Sequence, residues 1–320
     1  MTRRFAAIDV GTNTVLLLVA ERRGAGFAPL VERAEITRLG RGVDRAGRLD
    51  AAAIRETVEV LARYAAEARS LGAEDIACVA TSAARDASNG EEFFSATTRA
   101  AGLRPEVISG EEEARLVYES AWRDFGAPAG SAGLAVLDVG GGSTEFTYGL
   151  GPAPEARTSV RMGAVRLTER VAPRDPVPPE DLARLRDGAR EALAGLAAAR
   201  ARLAGARLVA VAGTVTTLAA VDRALPVYDP EVVHGSTLAL AALESLLARL
   251  AALPLAERAR LPGMEPKRAD VIVAGCALVV EALRAAGFER LTVSDRGVRW
   301  GLLHDRFGAG IPAREDEAAR

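Results

Sequence analysis

Histidine, cysteine and lysine are almost missing from this chain. Its 320 residues include two histidines, two cysteines and a single lysine. His234 and His304 lie far apart, so no zinc cluster, histidine-based metal site or Ser/His/Asp triad can be assembled from them. Cys78 and Cys276 each sit inside an apolar segment, which predicts buried free thiols and argues against a disulfide. No apolar run reaches the roughly 20 residues of a membrane span, and "MTRRF" leads straight into a strand-like segment without a signal-peptide core. The cytoplasm is therefore the expected compartment, and no membrane partner is expected. A formal net charge of −2 excludes a chain that is basic throughout, as many nucleic-acid binders are, so nucleic acid is not an expected partner either. Lys267 is the only lysine among 41 basic residues, so nearly all positive charge is guanidinium, a group suited to bidentate phosphate contacts. GC-rich codon usage would produce the same bias.

What is present reads as a globular α/β chain. Hydrophobic residues make up 49% and charged residues 26%, and the length fits two domains of ordinary size. Residues 5–20 and 27–38 read as a strand meander. Asp50 is placed to cap a helix running to about Ser70, with Ile54, Val58, Leu61, Ala65 and Ala68 on one face and Gly72 ending it. Short strands at 75–81 and in "RPEVIS" alternate with helices, the second of which covers 110 to about 124. "FGAPAGSAG" (125–133) is the best boundary, giving an N-terminal domain over 1–125 and a C-terminal domain over 126–320. Beyond it come strands at 134–138 and 144–149, a Pro-rich stretch, and a long helix to about 204. A strand, turn and helix start (207–221), a buried helix (269–283), a last strand and helix, and a frayed tail complete the chain.

One stretch raises the question of function. In "LAVLDVGGGSTEF" (134–146) an apolar run ends in a carboxylate, then three glycines, two hydroxyls and a second carboxylate. "FAAIDVGTNTVLLLV" (5–19) repeats that grammar, with Asp9 preceding Asp138 by 129 residues, which suggests two related halves facing one cleft. Each Asp-x-Gly turn frees backbone N–H groups at a strand end, and glycine lets an anion come close. A third turn, "AGTVTT" (212–217), strengthens a phosphate reading. Asp138 and Glu145 are hard carboxylates beside those loops, as a Mg²⁺ site requires, although Glu145 could equally be a strand residue facing solvent. "ISGEEEARL" puts Glu111, Glu112 and Glu113 at a helix start. Ser109 and Glu112 match a capping box, at most one or two of the three can face a cleft, and periodicity does not choose among them. Arg85 follows a buried strand, where either a phosphate contact or a surface ion pair would fit. His234 is assigned no catalytic role.

Taken in order, "AAIDVGTNTVLLLV", "ATSAARDASNGEEF", "VISGEEEARL", "LDVGGGSTEF", "MGAVRLTE", "AGTVTTLAAV", "YDPEVVHG", "LPGMEPKRADVIVAG" and "VSDRGVRWGLL" resemble the successive motifs of the exopolyphosphatase and guanosine pentaphosphate phosphatase family, over about residues 5–303. The resemblance implies two ribonuclease H-like domains around a cleft, the actin-like ATPase fold, and Mg²⁺-dependent removal of a terminal phosphate. It aligns Glu112 with the catalytic general base. Gly11, Thr12, Asn13, Arg85, Gly140, Gly141, Gly142, Ser143 and Thr214 align with phosphate binders, and Asp138 and Glu145 with metal-associated carboxylates. The implied partners are inorganic polyphosphate or guanosine pentaphosphate, with a homodimer as the assembly to look for. Trp300 departs from the family pattern, where a charged residue is usual. Longer relatives continue into helical domains, so for a chain ending at 320 short polyphosphates are the expected substrates. A sugar-kinase-like phosphotransferase and a non-enzymatic alarmone or polyphosphate sensor are the rival readings. The first would need an adenosine site, and the second would dispense with a general base.

Overall fold

Residues 2–126 and 132–308 are described by the computed structural model. Most of the expected boundary segment and the tail after 308 lie outside these residues. The first half runs β1 (Arg4–Val10), β2 (Thr14–Arg23), β3 (Gly26–Ile36), α1 (Val43–Ala46), α2 (Ala51–Ser70), β4 (Asp75–Ala80), α3 (Ser82–Asp86), α4 (Gly90–Ala101), β5 (Glu106–Val107) and α5 (Gly110–Phe125). The second half begins with β6 (Leu134–Val139), β7 (Thr144–Gly149), β8 (Ala156–Val160), α6 (Ala164–Val171), α7 (Pro179–Ala192), α8 (Leu196–Ala199), β9 (Arg207–Val211) and α9 (Ala212–Asp222). It continues through α10 (Pro230–Val233), β10 (Thr237–Ala239), α11 (Leu240–Ala252), α12 (Leu255–Arg258), α13 (Ile272–Ala286), β11 (Arg290–Val293) and α14 (Val298–Phe307).

The two sheets repeat one plan. The first has the order β3-β2-β1-β4-β5, and the second β10-β11-β9-β6-β7-β8, so β6, β7, β8, β9 and β11 stand where β1, β2, β3, β4 and β5 stand. In each, the first two strands form an antiparallel hairpin and the first strand then pairs in parallel with the strand that follows the next helices. An antiparallel meander joined by crossover to parallel strands is the ribonuclease H-like arrangement, and the chain holds it twice. One core lies on the outer side of the first sheet and a larger one around α13 in the second half. A third core joins residues of β1, β2, β4, β6 and β9 through α5 and α14, which are sandwiched between the two sheets.

Local chemistry accounts for the elements that carry the site. The Asp50 carboxylate accepts from the N–H groups of Ala52 and Ala53 (3.0 and 3.1 Å), capping α2, and Gly72 follows the helix with φ 78°. Ile54, Leu61, Ala65 and Ala68 are buried as their spacing predicts, while Val58 is half-buried. The long helix expected up to about 204 is interrupted after Ala192 and resumes only as the short α8. Gly195 lies at the interruption, where the backbone freedom of glycine disfavours continued helix. Trp300 is buried in the shared core, with the Arg296 guanidinium 4.4 Å from its ring centroid, so the departure from the family pattern is accommodated by packing.

The sandwich of α5 and α14 depends on a glycine. A Cβ on Gly301 would lie 2.1 Å from the carbonyl oxygen of Leu116, so the two helices approach backbone to backbone there. Gly301→Ala is expected to destabilise the protein by about 1–3 kcal/mol, the usual cost of overpacking. Urea unfolding monitored by circular dichroism measures it, and an unchanged midpoint would mean that the helices separate freely.

Candidate active site

The C-terminal ends of β1, β4, β6, β9 and β11 converge on a cavity of about 750 Å³ between the halves. Both Asp-x-Gly hairpins turn there, and each is closed by the same bond: Gly11 N–H donates to the Thr14 carbonyl (3.0 Å) and Gly140 N–H to the Ser143 carbonyl (3.1 Å). In both loops the carbonyls are occupied from behind. Thr12 O accepts from Gly40 N–H, and Asn13 O from Thr37 and Arg38 N–H; Gly140 O accepts from Ala164 N–H, and Gly141 O from Val165 N–H. The N–H groups of Thr12, Asn13, Gly141 and Gly142 donate to no protein acceptor among the described residues, leaving a double row of donors of the kind that binds anions. The loops also touch: a Cβ on Gly142 would meet Ser82 Oγ at 2.5 Å and Thr12 Oγ1 at 2.6 Å, so only glycine fits. The N-terminus of α9 adds a third set of free N–H groups, where the Thr214 hydroxyl donates to the Val139 carbonyl (2.9 Å). Gly11, Thr12, Asn13, Gly140, Gly141, Gly142, Ser143 and Thr214 thus line one cavity.

Carboxylates stand directly beside these donors. Asp138 and Glu145 are cross-strand partners in the β6–β7 hairpin, and Asp9 is the counterpart of Asp138 in the first half. All three are buried. Burial raises Asp9 and Asp138 to about 7, with Asp138 adding to the shift at Asp9. Burial, then repulsion from Asp138, raises Glu145 to about 8. Ser159 Oγ donates to Glu145 Oε1 (2.7 Å), but Glu145 Oε2 and Asp9 Oδ1 have no partner, so Glu145 is not a strand residue facing solvent.

The glutamate run resolves differently from the motif alignment. Glu112, the aligned base, is turned away from the cavity. Arg115 holds it through two bonds (2.6 and 2.9 Å) and keeps its carboxyl below the ordinary range, while Arg115 also reaches Glu119 and Asp305. Its backbone N–H donates to Ser109 Oγ (3.1 Å), so Ser109 caps the helix, while the Glu112 carboxylate goes to Arg115 and does not complete the capping box. Glu113 is the residue that lines the cavity, buried, and pushed well above its ordinary pKa by burial and then by Glu145, Asp138 and Asp9. The physical reason is helical phase: one residue rotates the side chain by about 100°, from the α14 side to the cleft side. Arg85 donates to the Ile108 carbonyl (2.7 Å) and sits 3.4 Å from Glu113, reaching that carboxylate and not the loops. His234 does not line the cavity.

Three arginines escaped sequence reasoning. Arg268 lies over Gly213, where any Cβ would collide with its guanidinium, and it donates to Thr14 Oγ1 (3.2 Å) in the opposite half. Arg299 is buried beside Asp9, whose pKa it lowers, and reaches Glu32 of β3 (2.5 Å). Arg166 fastens the second loop from behind. One stretch of the wall is apolar, made by Leu225, Pro226, Pro230, Met264 and Ile272 with Tyr228, while Glu32, Arg33, Glu35, Glu265 and Lys267 line other parts of it.

The donor set suits a hard divalent cation. Buried carboxylates with orphaned oxygens, raised by burial and then by repulsion between neighbours, favour neutralisation by a cation or by protons. Among the described residues no three His, Cys, Asp or Glu side chains form a complete ligand group. An ion here would be held by one or two carboxylates and completed by water and substrate oxygens, as Mg²⁺ commonly is. The carboxyls also set a pH dependence. Asp9, Asp138 and Glu145 have folded-state pKa values above their unfolded ones, so between about pH 4 and pH 8 these three groups hold more protons in the folded protein than in the unfolded chain. Their contribution to the stability of the metal-free protein is expected to fall as pH rises through that window, and added Mg²⁺ should raise the melting temperature more at pH 8 than at pH 5.5. Scanning calorimetry with and without Mg²⁺ checks this, and an equal Mg²⁺ effect at both values would remove the link to these carboxyls.

Comparison with known proteins agrees with this geometry. The Ppx/GppA phosphatase family matches residues 18–308. The chain is 37% identical over 313 residues to Exopolyphosphatase 2 of Mycobacterium tuberculosis, an alignment covering 93% of this chain and 97% of that one. It is 32% identical to Exopolyphosphatase 1 of Mycobacterium leprae, covering 94% and 88%. Among solved structures, the Aquifex aeolicus Ppx/GppA family member superposes with a TM-score of 0.78 at 33% identity, covering 95% and 97%. An exopolyphosphatase from Cytophaga hutchinsonii reaches 0.87 at 26% identity, covering 94% and 97%. With its duplicated fold and paired loops, the chain belongs to the Ppx/GppA phosphatase family.

Proposed function

We propose that this protein is an exopolyphosphatase that releases the terminal phosphate of inorganic polyphosphate, with Glu113 as the general base and Mg²⁺ as cofactor. The observation that carries this reading is that Glu113, Asp9 and Asp138 line one cavity with two rows of free backbone N–H groups, while Glu145 is buried beside Asp138 on the paired strand. Relatives named exopolyphosphatase along nearly the whole chain support it. The free N–H groups of both loops and α9 hold the terminal phosphates, and Arg268 supplies fixed positive charge next to them. Asp138 and Glu145, with Asp9 across the cleft, would hold Mg²⁺, which when bound offsets phosphate charge and polarises the phosphoryl group. Glu113 accepts a proton from the attacking water and orients it in line with the leaving oxygen. Arg85, 3.4 Å away, steadies the Glu113 carboxylate. Short chains are the proposed substrates, because a cavity of about 750 Å³ encloses only the end of a long polymer.

One observation favours a second substrate. The apolar wall of Leu225, Pro226, Tyr228, Pro230 and Met264 has no use for an inorganic chain, whereas a nucleobase would cover it. Guanosine pentaphosphate is therefore the alternative, through the same chemistry.

Phosphate release from tripolyphosphate, long polyphosphate, guanosine pentaphosphate and ATP, measured in parallel, tests both readings. Tripolyphosphate should be favoured. Glu113→Gln is expected to lower turnover by about 10²- to 10⁴-fold with substrate binding retained. Glu112→Gln should leave it nearly intact, because Glu112 is already committed to Arg115. Full activity of Glu113→Gln would end the general-base assignment, and release from guanosine pentaphosphate alone would replace the substrate. Asp138→Asn should raise the Mg²⁺ concentration needed for half-maximal activity.

A further inference from the structure

The most heavily engaged cation at the cleft is Arg166, on the first turn of α6. Its side chain is 7% exposed. Nε donates to the carbonyl of Gly142 in the second phosphate loop (3.0 Å), Nη2 to Asp86 Oδ2 (2.6 Å), and Nη1 to Asp44. Gly142 belongs to the second half, whereas Asp44 lies in α1 and Asp86 at the end of α3, both in the first. A single guanidinium therefore holds the backbone of a phosphate loop and two carboxylates of the opposite half.

The surrounding contacts form a closed circuit. Ser82, on α3 with Asp86, is the side chain that presses against Gly142, and its hydroxyl lies 3.4 Å from Asp86 Oδ2. Arg161 pairs with the other oxygen of Asp86 (2.9 Å), Arg170 with Asp44 (2.8 Å), and Glu169 accepts from Gly42 N–H (2.8 Å). On the other flank of the cleft, Arg38 pairs with Asp270 (2.9 Å) and Lys267 donates to the Ile36 carbonyl (3.3 Å). The halves are thus pinned on both sides; on the Lys267 flank Arg268 reaches the hydroxyl of Thr14 in the first hairpin, whereas Arg166 holds a main-chain carbonyl of the second phosphate loop together with carboxylates of the opposite half.

We propose that Arg166 is a positioning residue, which couples closure of the two halves to the geometry of the Gly140–Ser143 loop without touching substrate. When Asp44 and Asp86 engage it, the Gly142 carbonyl is drawn toward α6 and the loop N–H groups remain turned to the cavity. When the halves part, the loop loses that anchor. A phosphate-dense substrate lying between the halves is then gripped only in the closed form. This inference rests on the phosphate-release reading above. It differs from a direct phosphate contact in one respect: Asp44 and Asp86 are parts of the device and not competitors for the arginine.

That difference supplies the test. Spin labels at exposed Ala52 and Ala256, one in each half, report the interdomain distance by pulsed dipolar spectroscopy in the full chain without substrate. Steady-state phosphate release from tripolyphosphate reports kcat and KM. Asp86→Asn and Arg166→Lys are both expected to lengthen and broaden the distance distribution. Arg166→Lys should lower kcat by about 10²-fold, the scale of an ångström-sized misplacement, with a smaller drop for Asp86→Asn and KM changed far less in both. In Arg166→Lys, Arg161 and Arg170 still neutralise Asp86 and Asp44, and in Asp86→Asn, Arg166 and Arg170 still pair with Asp44, so folding is expected to be retained. An unchanged distance in both variants overturns the proposal. So does a fall in KM for Asp86→Asn, which would mean that a released Arg166 binds phosphate directly. Failure of the wild type to release phosphate would reject the proposed activity, while the distance measurement would still report on the latch.

Discussion

The burial of four carboxylates at one point governs this molecule. Asp9, Asp138, Glu145 and Glu113 are each at most 8% exposed, and desolvation, joined by repulsion from neighbouring carboxylates at Asp9, Glu145 and Glu113, pushes all four above their ordinary pKa. Such a cluster resists ionisation and would repel a phosphate chain. An anionic substrate beside it requires compensating positive charge, and the protein supplies that in two forms. One is fixed: the N–H rows of both hairpins, the start of α9, and the guanidinium groups of Arg268 and Arg299. The other is a cation or protons, which accounts for a carboxyl-rich centre and a phosphate-binding centre coinciding and is the ground on which Mg²⁺ is proposed.

Duplication delivers the geometry, and divergence between the copies delivers the chemistry. The hairpin bonds, the loop glycines and the Asp9/Asp138 pair are shared across the offset of 129 residues. The cross-strand partner is not. Asp138 faces Glu145, whereas Asp9 faces Leu16 at the corresponding register. Only the second hairpin therefore carries a pair of acids, and α5, packed on β7 and β8, brings Glu113 to that side. The negative field is lopsided within a nearly symmetric frame. A terminal phosphate bound there would have a defined acidic side, where a water would be activated.

Local grammar made much of this legible. Strand ends marked by Asp-x-Gly, the Asp50 cap and the buried face of α2 follow from period and turn chemistry, and the repeated motif disclosed two halves before any coordinates. What escaped was phase and long range. Three adjacent glutamates cannot be ranked by periodicity, because the cleft side of α5 is set by its contacts with α14 and β7, far away in sequence. Glu112 went to Arg115, which Asp305 of α14 also engages, for that reason. Arg166, Arg268 and Arg299 were visible only as members of an arginine-rich composition. Their partners lie 122, 254 and 267 residues away in the chain, at distances no local pattern encodes.

Those three arginines change what the scarcity of lysine means. Base composition accounts for arginine on exposed faces, but not for what the seam asks of a side chain. Arg166 serves three acceptors from three segments, and Arg299 joins Glu32 to the neighbourhood of Asp9. A guanidinium can do this because its donors are held in a plane and its charge is weakly hydrated, whereas an ammonium is a compact, strongly hydrated point charge. A lysine at position 166 would reach fewer acceptors and draw water into the seam. The one lysine in the chain, Lys267, lies at the rim of the same cleft, where it meets the Ile36 carbonyl oxygen, lies 3.9 Å from the Glu56 carboxylate and stays largely exposed. The division of labour is physical: rigid forks close the interior of the seam, and a flexible point charge suffices only at its wet edge.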